Sequence, residues 1–591
     1  MGIPLAVASV AMHVPVEARA CGGTFCDAFV PDMPVDQTAE GILFVSDGDF
    51  VEAHVQIQYD GGDAEQFAWM VPVPAIPEIE VGSWRLIQAA LRGTRPVHST
   101  TTEFVCDDSG GWGEDGGGFI QEPDGGGVSH EPDPGPTVVA EDVVGAFEYV
   151  VLQGGSSDTV NDWLVANDYA TDVDAPEILD AYIAEGSVFV AFRLRHGANL
   201  QDIHPVVIRY QGTEPCIPLR LTRIAAKEDM DITAVFLGDS RVVPTNYRHV
   251  QLNRVRLDWL FPTESYPELV SMAVDAPGAD GRAFVTEYAG SSAVIDGSTL
   301  STAGLSSRVF ASLPVLSVLD ELQAQGLASC SAEGCTYQHE LVPSLLSEFV
   351  PVPAGLTPEE FYGCLSCYAQ LVDLDAWDGP AFATAFDERI VAPMQHGEEL
   401  LALWPYATRL YTRMSPHEML SDPMFAELPG LEDVPSRHGA ERTFDCCGTT
   451  VRLPGGREVS LYGANPWPVF DDAMPWAERI EEYTAAGGAP VVLVDDSALI
   501  DTLLAAWNAE SPCAEDPAGT TGGGADTSAG DPGGEDGSAT SGGGSGTDDG
   551  PGQDADDASA SGCGCTSGGP AGPTSWMLML LGLGALTRRR S

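Results

Sequence analysis

Apolar and polar positions alternate most cleanly between Phe50 and Tyr59, where Val51, Ala53, Val55, Ile57 and Tyr59 interleave with Glu52, His54, Gln56 and Gln58. A period of two is that of a strand with one buried face. Gly41 to Val45 supplies the other arm of a hairpin, and Ser46-Asp47-Gly48-Asp49 supplies its turn. Phe67 to Val71 reads as a further strand running into the extended, proline-rich segment Pro72 to Pro77, which suits a sheet edge. Trp84 to Leu91 reads as a short helix capped by Ser83.

Downstream, a strand is expected at Phe147 to Leu152 and helices at Thr159 to Tyr169 and Pro176 to Ala184. Strands are expected at Val188 to Leu194, Val206 to Tyr210, Ile217 to Ile224 and Ile232 to Leu237. Val188, Val190, Phe192 and Leu194 share one face opposite Arg193 and Arg195, which implies a sheet with one wet side. Between about 305 and 403 the period becomes helical. Thr357-Pro358-Glu359-Glu360 is a strong helix start, and Ser415-Pro416-His417-Glu418 reads as a second capping box. Strand character returns from Thr450 to Tyr462, followed by a helix at Trp476 to Tyr483, a strand at Pro490 to Val494 and a helix at Ser497 to Trp507. The fold class this implies is α+β, a largely antiparallel sheet with a helical insertion.

Two stretches cannot build a core. Residues 107–136 are acidic, rich in glycine and proline and nearly free of apolar side chains, so a disordered surface loop is expected. Residues 513–562 carry eleven acids and no base among Gly, Ser, Thr and Ala, the composition of a solvated stalk. By random-coil scaling it would reach roughly 40 Å. One globular region, residues 21–512, lies before it. The formal net charge is -61, with 27 bases against 88 acids and a single lysine, Lys227. Such a balance excludes nucleic acid as an electrostatic partner.

The two ends carry addresses. Ile3 to Val14 is apolar and leads to Ala18-Arg19-Ala20, an A-x-A cleavage site that makes residues 1–20 a signal peptide and places Cys21 first in the mature chain. A lipobox is the rival reading, but it expects Leu where Ala18 stands. At the other end, residues 563–591 hold Cys563 and Cys565, an apolar run from Trp576 to Leu586 and Arg588-Arg589-Arg590. Arginines beside a short membrane helix stay cytoplasmic, so the chain before it lies across the membrane. This arrangement resembles the MYXO-CTERM sorting signal of myxobacterial surface proteins. The resemblance implies export, cutting by a C-terminal sorting protease, lipid on Cys563 or Cys565 and display at the outer membrane. A permanent tail anchor is the simpler alternative.

A second resemblance rests on the Cys21-Gly22-Gly23 start, Val55-Gln56-Ile57-Gln58-Tyr59, Ala68-Trp69-Met70-Val71-Pro72-Val73-Pro74 and Thr408 to Met419. These are similar to the domain of unknown function family 2330, found in exported bacterial proteins. The likeness would extend to about Gly463 and implies no catalytic residues.

Thirteen cysteines in an exported chain read as disulfides. Cys21 and Cys26 flank a glycine turn, Cys330 and Cys335 can close a small loop, and Cys364-Leu365-Ser366-Cys367 is the one redox-like motif. It is expected inside the helix starting at Thr357, several residues past the cap, where a structural disulfide is the expectation. Adjacent Cys446 and Cys447 should take different partners, leaving Cys106, Cys216 and Cys513 for long-range pairs. Eleven cysteines from Cys21 to Cys513 leave one over, and connectivity stays open.

No metalloprotease helix, nucleophile elbow or phosphate loop is present, and no cofactor is implied. His54, His204, His339, His396, His417 and His438 are scattered without ligand spacing. Three functions remain: a binding or structural surface protein of unknown ligand, an extracellular hydrolase with a dispersed site, and an envelope thiol oxidoreductase using Cys364 and Cys367.

Overall fold

The computed structural model describes residues 24–26, 36–60, 67–104, 136–167, 175–194, 203–224, 226–331, 334–444, 448–462, 466–484 and 487–510. The expected signal peptide, most of the expected acidic loop, the expected stalk and the C-terminal run lie outside them, as do Ala20, Cys21, Cys563 and Cys565. Among the described residues no helix is long and apolar enough to cross a membrane.

Ten strands form the central sheet, in the spatial order Val491–Asp495, Ala477–Glu482, Arg248–Leu252, Ala283–Ser291, Tyr406–Met414, Ala226–Gly238, Asp36–Asp47, Phe50–Asp60, Val206–Gln211 and Glu78–Val81. Neighbours run antiparallel except at two places, Ala226–Gly238 beside Asp36–Asp47 and Arg248–Leu252 beside Ala283–Ser291. The predicted hairpin is there, with Ile42 opposite Val55 and Phe44 opposite Ala53, and its turn puts Gly48 at φ 62°. A five-stranded antiparallel sheet, Thr24–Cys26, Phe67–Val73, Val188–Leu194, Phe147–Gln153 and Thr137–Val144, lies against it.

The two sheets bury a shared core. Ile42, Phe44, Val51, Ala53 and Val55 from one meet Trp69, Val71, Phe147, Val190 and Phe192 from the other. The outer face of the five-stranded sheet is covered by the helices Ser157–Ala166 and Ala175–Glu185 through Val160, Leu164, Ile178, Leu179 and Phe189. Hence both faces of Val188–Leu194 are buried apart from Arg193, and the expected wet side is dry. On the far face of the central sheet, Leu43, Val45, Val235 and Leu237 pack on the helices Trp84–Gly93 and Ala392–Leu403. The molecule is thus layered helix, sheet, sheet, helix, an α+β arrangement.

The helical block is an insertion between neighbouring strands. The chain leaves the sheet at Ser291 and returns at Tyr406, its register partner, after building a separate core around Phe310, Leu345, Phe361, Phe382 and Phe386. Thr357 caps the helix Pro358–Gly363 in a capping box with Glu360. That helix stops sooner than expected, so Cys364 lies at its end and not inside it. Cys364 is bonded to Cys367, and Cys330 to Cys335 across the two-residue-wide hairpin of Ala328–Ser331 and Gly334–Tyr337. Cys216 is a free thiol.

Several expected elements differ. Trp476 to Tyr483 contains a strand, Ala477–Glu482, because it is hydrogen-bonded on both sides, to Arg248–Leu252 and Val491–Asp495. Sheet pairing there overrides helix-compatible residues such as Ala477 and Glu478. Ile217 to Ile224 holds a short helix, Leu219–Thr222, pinned by Asp422 accepting from the Arg220 backbone at 2.9 Å. At Ser415 the capping half-bond forms, with Glu418 accepting from the Ser415 amide at 2.7 Å, but a turn follows with no helix. The strands Val97–Phe104 and Arg437–Phe444 went unforeseen; they pair in parallel and extend through Thr449–Arg452 and Glu458–Leu461 as a four-stranded sheet.

Candidate functional site

Where the four-stranded sheet meets the edge of the central sheet there is a polar cleft of about 650 Å³. His98 and His438 face it as register partners of the parallel ladder, their rings stacked 5.1 Å apart. Trp259 meets His98 edge-on at 5.4 Å and Tyr266 closes the other side at 5.1 Å. Arg254 follows the strand Arg248–Leu252 and is locked by its carbonyl, which accepts from the Trp259 indole at 3.0 Å. One of its guanidinium nitrogens, Nη2, lies 3.4 Å from Nε2 of His438.

These positions fix protonation. Burial, and then the Arg254 charge, push His98 down to about 4. Burial, Arg254 and His98 together push His438 down to about 3. Both rings are therefore neutral at pH 7. Burial also presses the Arg254 guanidinium below its ordinary value, because a charge withdrawn from water is disfavoured.

Of the five acids lining the cleft, Glu432 is exposed, Asp433 accepts from the Tyr406 hydroxyl at 2.7 Å, and the other three are paired. Glu287, buried, accepts from Tyr266 at 2.8 Å and pairs with Arg409. Glu478 and Asp501 are held by Arg457 at 2.8 and 2.7 Å. In contrast Arg254 and Arg241 form no ion pair with a carboxylate among the described residues. Arg241 donates to the Glu432 carbonyl and to Thr286 Oγ1, each at 3.0 Å, and its Nε is buried without a partner.

A second feature shares this wall. Thr286 Oγ1 sits 2.9 Å from Nε2 of His249, and Nδ1 of His249 is 3.6 Å from Glu481. Since Arg241 donates to Thr286, the hydroxyl proton is directed to His249. Burial lowers the His249 pKa, so the ring is a neutral acceptor, while His249 in turn holds Glu481 below the usual carboxylate range.

Of the histidines singled out in the sequence, His438 belongs to this cleft. His54 and His396 meet elsewhere, on Glu52. His204 is satisfied in place, accepting from the Ala146 amide at 3.0 Å, and His339 accepts from the Leu341 amide at 3.2 Å. His417 is exposed. Arg254, His98 and His249 were not anticipated, yet a signal existed. Arg241, Arg248, Arg254 and Arg256 fall within sixteen residues of a chain that holds only 27 bases.

A family model described as an uncharacterized protein conserved in bacteria (DUF2330) matches residues 15–328. No curated protein and no solved structure matches the chain. The matched stretch contains Arg254, His98, His249 and Glu287. It stops before His438, and before Thr408 to Met419, so it is shorter than the expected reach to Gly463.

Proposed function

The chain belongs to the bacterial family DUF2330, a membership that names no chemistry; from that premise we propose an exported, surface-displayed protein that captures an organic acid in the Arg254 cleft. The observation that carries the ligand is Arg254 itself. In a chain with 88 acids, a half-buried arginine with no carboxylate ion pair among the described residues is suited to receive one from a ligand. A guanidinium fork matches a carboxylate in two parallel hydrogen bonds, and the low-dielectric wall strengthens them. Neutral His98 and His438 add directional polar contacts without competing for the anion.

Export and display rest on the ends of the sequence. The cleavage site at Ala20 and Cys21 fits passage through the export machinery, and the segment from Cys563 to Arg590 fits a sorting protease and a membrane anchor. The Cys330–Cys335 and Cys364–Cys367 bonds agree with an oxidising compartment. Mass spectrometry of material recovered from its native host under non-denaturing conditions tests both halves. The reading requires a terminus at Cys21, a processed or lipidated Cys563 or Cys565, and a small acid retained by the folded chain. An unprocessed cytosolic chain contradicts display, and a protein that carries and accepts no acid contradicts the ligand.

One observation favours a second reading, an acyl hydrolase. Thr286 and His249 stand in the same cleft as hydroxyl and imidazole base, with the Glu481 carboxylate 3.6 Å behind the far ring nitrogen. There the Thr286 oxygen would attack an acyl carbon as His249 Nε2 takes its proton and returns it to the leaving group, after which water, giving its proton to the same ring, would cleave the acyl-threonine ester and restore the hydroxyl. Release of nitrophenol from a nitrophenyl ester, abolished by Thr286→Ala, would establish it; equal rates in both proteins would exclude it.

A further inference from the structure

Four strands away from Thr286 of the cleft, roughly 19 Å across the sheet at the usual strand spacing, the central sheet carries a separate cluster. Glu52 and His54 project from the same side of the strand Phe50–Asp60, opposite Val51, Ala53 and Val55 in the core. His396 descends on them from the helix Ala392–Leu403. A single oxygen, Glu52 Oε1, lies 2.7 Å from His54 Nε2 and 2.6 Å from His396 Nε2. The two rings are nearly parallel, 17° between planes with centroids 5.8 Å apart, and the three ligand-type atoms all fall within 4.8 Å of one another.

From this convergence we propose that Glu52, His54 and His396 form a binding site for a zinc-class divalent cation. Two imidazole nitrogens and one carboxylate oxygen are the donor set that borderline cations of this kind prefer, and three protein ligands leave a coordination position for water. Glu52 Oε1 now sits closer to each imidazole nitrogen than the roughly 3.3 Å expected between ligands of a tetrahedral zinc. Withdrawal of the Glu52 carboxylate by about 0.6–0.7 Å from both rings makes the room, and His396, 36% exposed against 1% for His54, is the imidazole able to adjust with it.

Other features fit a cation. His54 Nδ1 is buried with no hydrogen-bond partner, so no neighbour fixes the ring's tautomer. Its proton can move from Nε2 to Nδ1, freeing Nε2 as a ligand. Glu80 and Glu399 lie close enough to add negative potential at His396. The helix bearing His396 is preceded by a π-helical turn, Asp387–Val391, an insertion that resets the phase of the helix and is retained mostly where a side chain must be aimed. Gly397 then lets the helix settle, since a Cβ there would stand 3.3 Å from Leu300 and 3.4 Å from Leu86.

The test is a zinc titration of the metal-stripped full chain by calorimetry, with cobalt absorption as a second readout. One equivalent should bind, raise the melting temperature and give the intense visible bands of four-coordinate cobalt. His396→Ala, at a half-exposed position, should keep the fold and lose more affinity than the roughly 10–100-fold that a supporting contact costs. Glu52→Gln, which keeps the shape and removes the charge, should weaken binding in the same direction. No tight equivalent in the wild type, or one that survives His396→Ala, overturns the proposal and leaves a carboxylate shared by two histidines.

Discussion

His98 and His438 stand directly opposite each other in a parallel ladder, 340 residues apart in the chain, and both are kept neutral first by burial and then by the same guanidinium, that of Arg254. Burial and one half-buried charge together set the protonation of this pair.

An acid limb of stability follows from that arrangement. Both rings have folded pKa values below the ordinary 6.5, at about 4 and about 3. Between 6.5 and those values the unfolded chain binds more protons than the folded one. Stability is thus full above pH 6.5 and is lost as pH falls through the folded values. Urea unfolding at pH 7 and pH 5 should show the loss, and His98→Asn should flatten it. The His396 ring should behave oppositely in a proton-resonance titration, because its hydrogen bond to Glu52 raises it above its ordinary value.

Arg254→Gln should leave the ligand-free protein as stable as before or more so, since it removes a desolvated charge that no carboxylate among the described residues pairs with directly and that Glu478 offsets only at a distance. Glu287→Ala should cost about 3–5 kcal/mol, because it strands Arg409 as an uncompensated buried cation. Thermal melts of the two variants under identical conditions distinguish the cases. Equal destabilisation by both would contradict the assignment of Arg254 as the unpaired member.

The sequence exposed what is local. Alternation from Val51 to Tyr59, the Thr357 capping box and the Ser83 cap need only neighbours within a few residues, and they appear where the pattern puts them. The same alternation marked Glu52 and His54 as the polar side of a strand, but it could not say that the helix bearing His396 would cover that side. The strand Ala477–Glu482 was misread because both its partners are supplied by distant segments. The cleft was hidden for the same reason. Its ladder joins Val97–Phe104 to Arg437–Phe444, and no window of sequence contains both.

The Cys330–Cys335 bond closes a loop of only a few residues, so the unfolded-state entropy it removes is modest. Cys335→Ser should lower stability by about 2 kcal/mol by this reasoning. Its effect should be confined to the helical insertion, read as faster amide exchange at Leu345 and Phe361, with strands such as Tyr406–Met414 unchanged.

The most direct test of the central claim is a calorimetric titration with short dicarboxylates such as succinate, run on the wild type and on Arg254→Gln. The account predicts saturable binding by the wild type and at least a tenfold loss, about 1.4 kcal/mol, in the variant with its melting temperature preserved. Binding that is indifferent to Arg254, or absent from the wild type across the dicarboxylates, would contradict it.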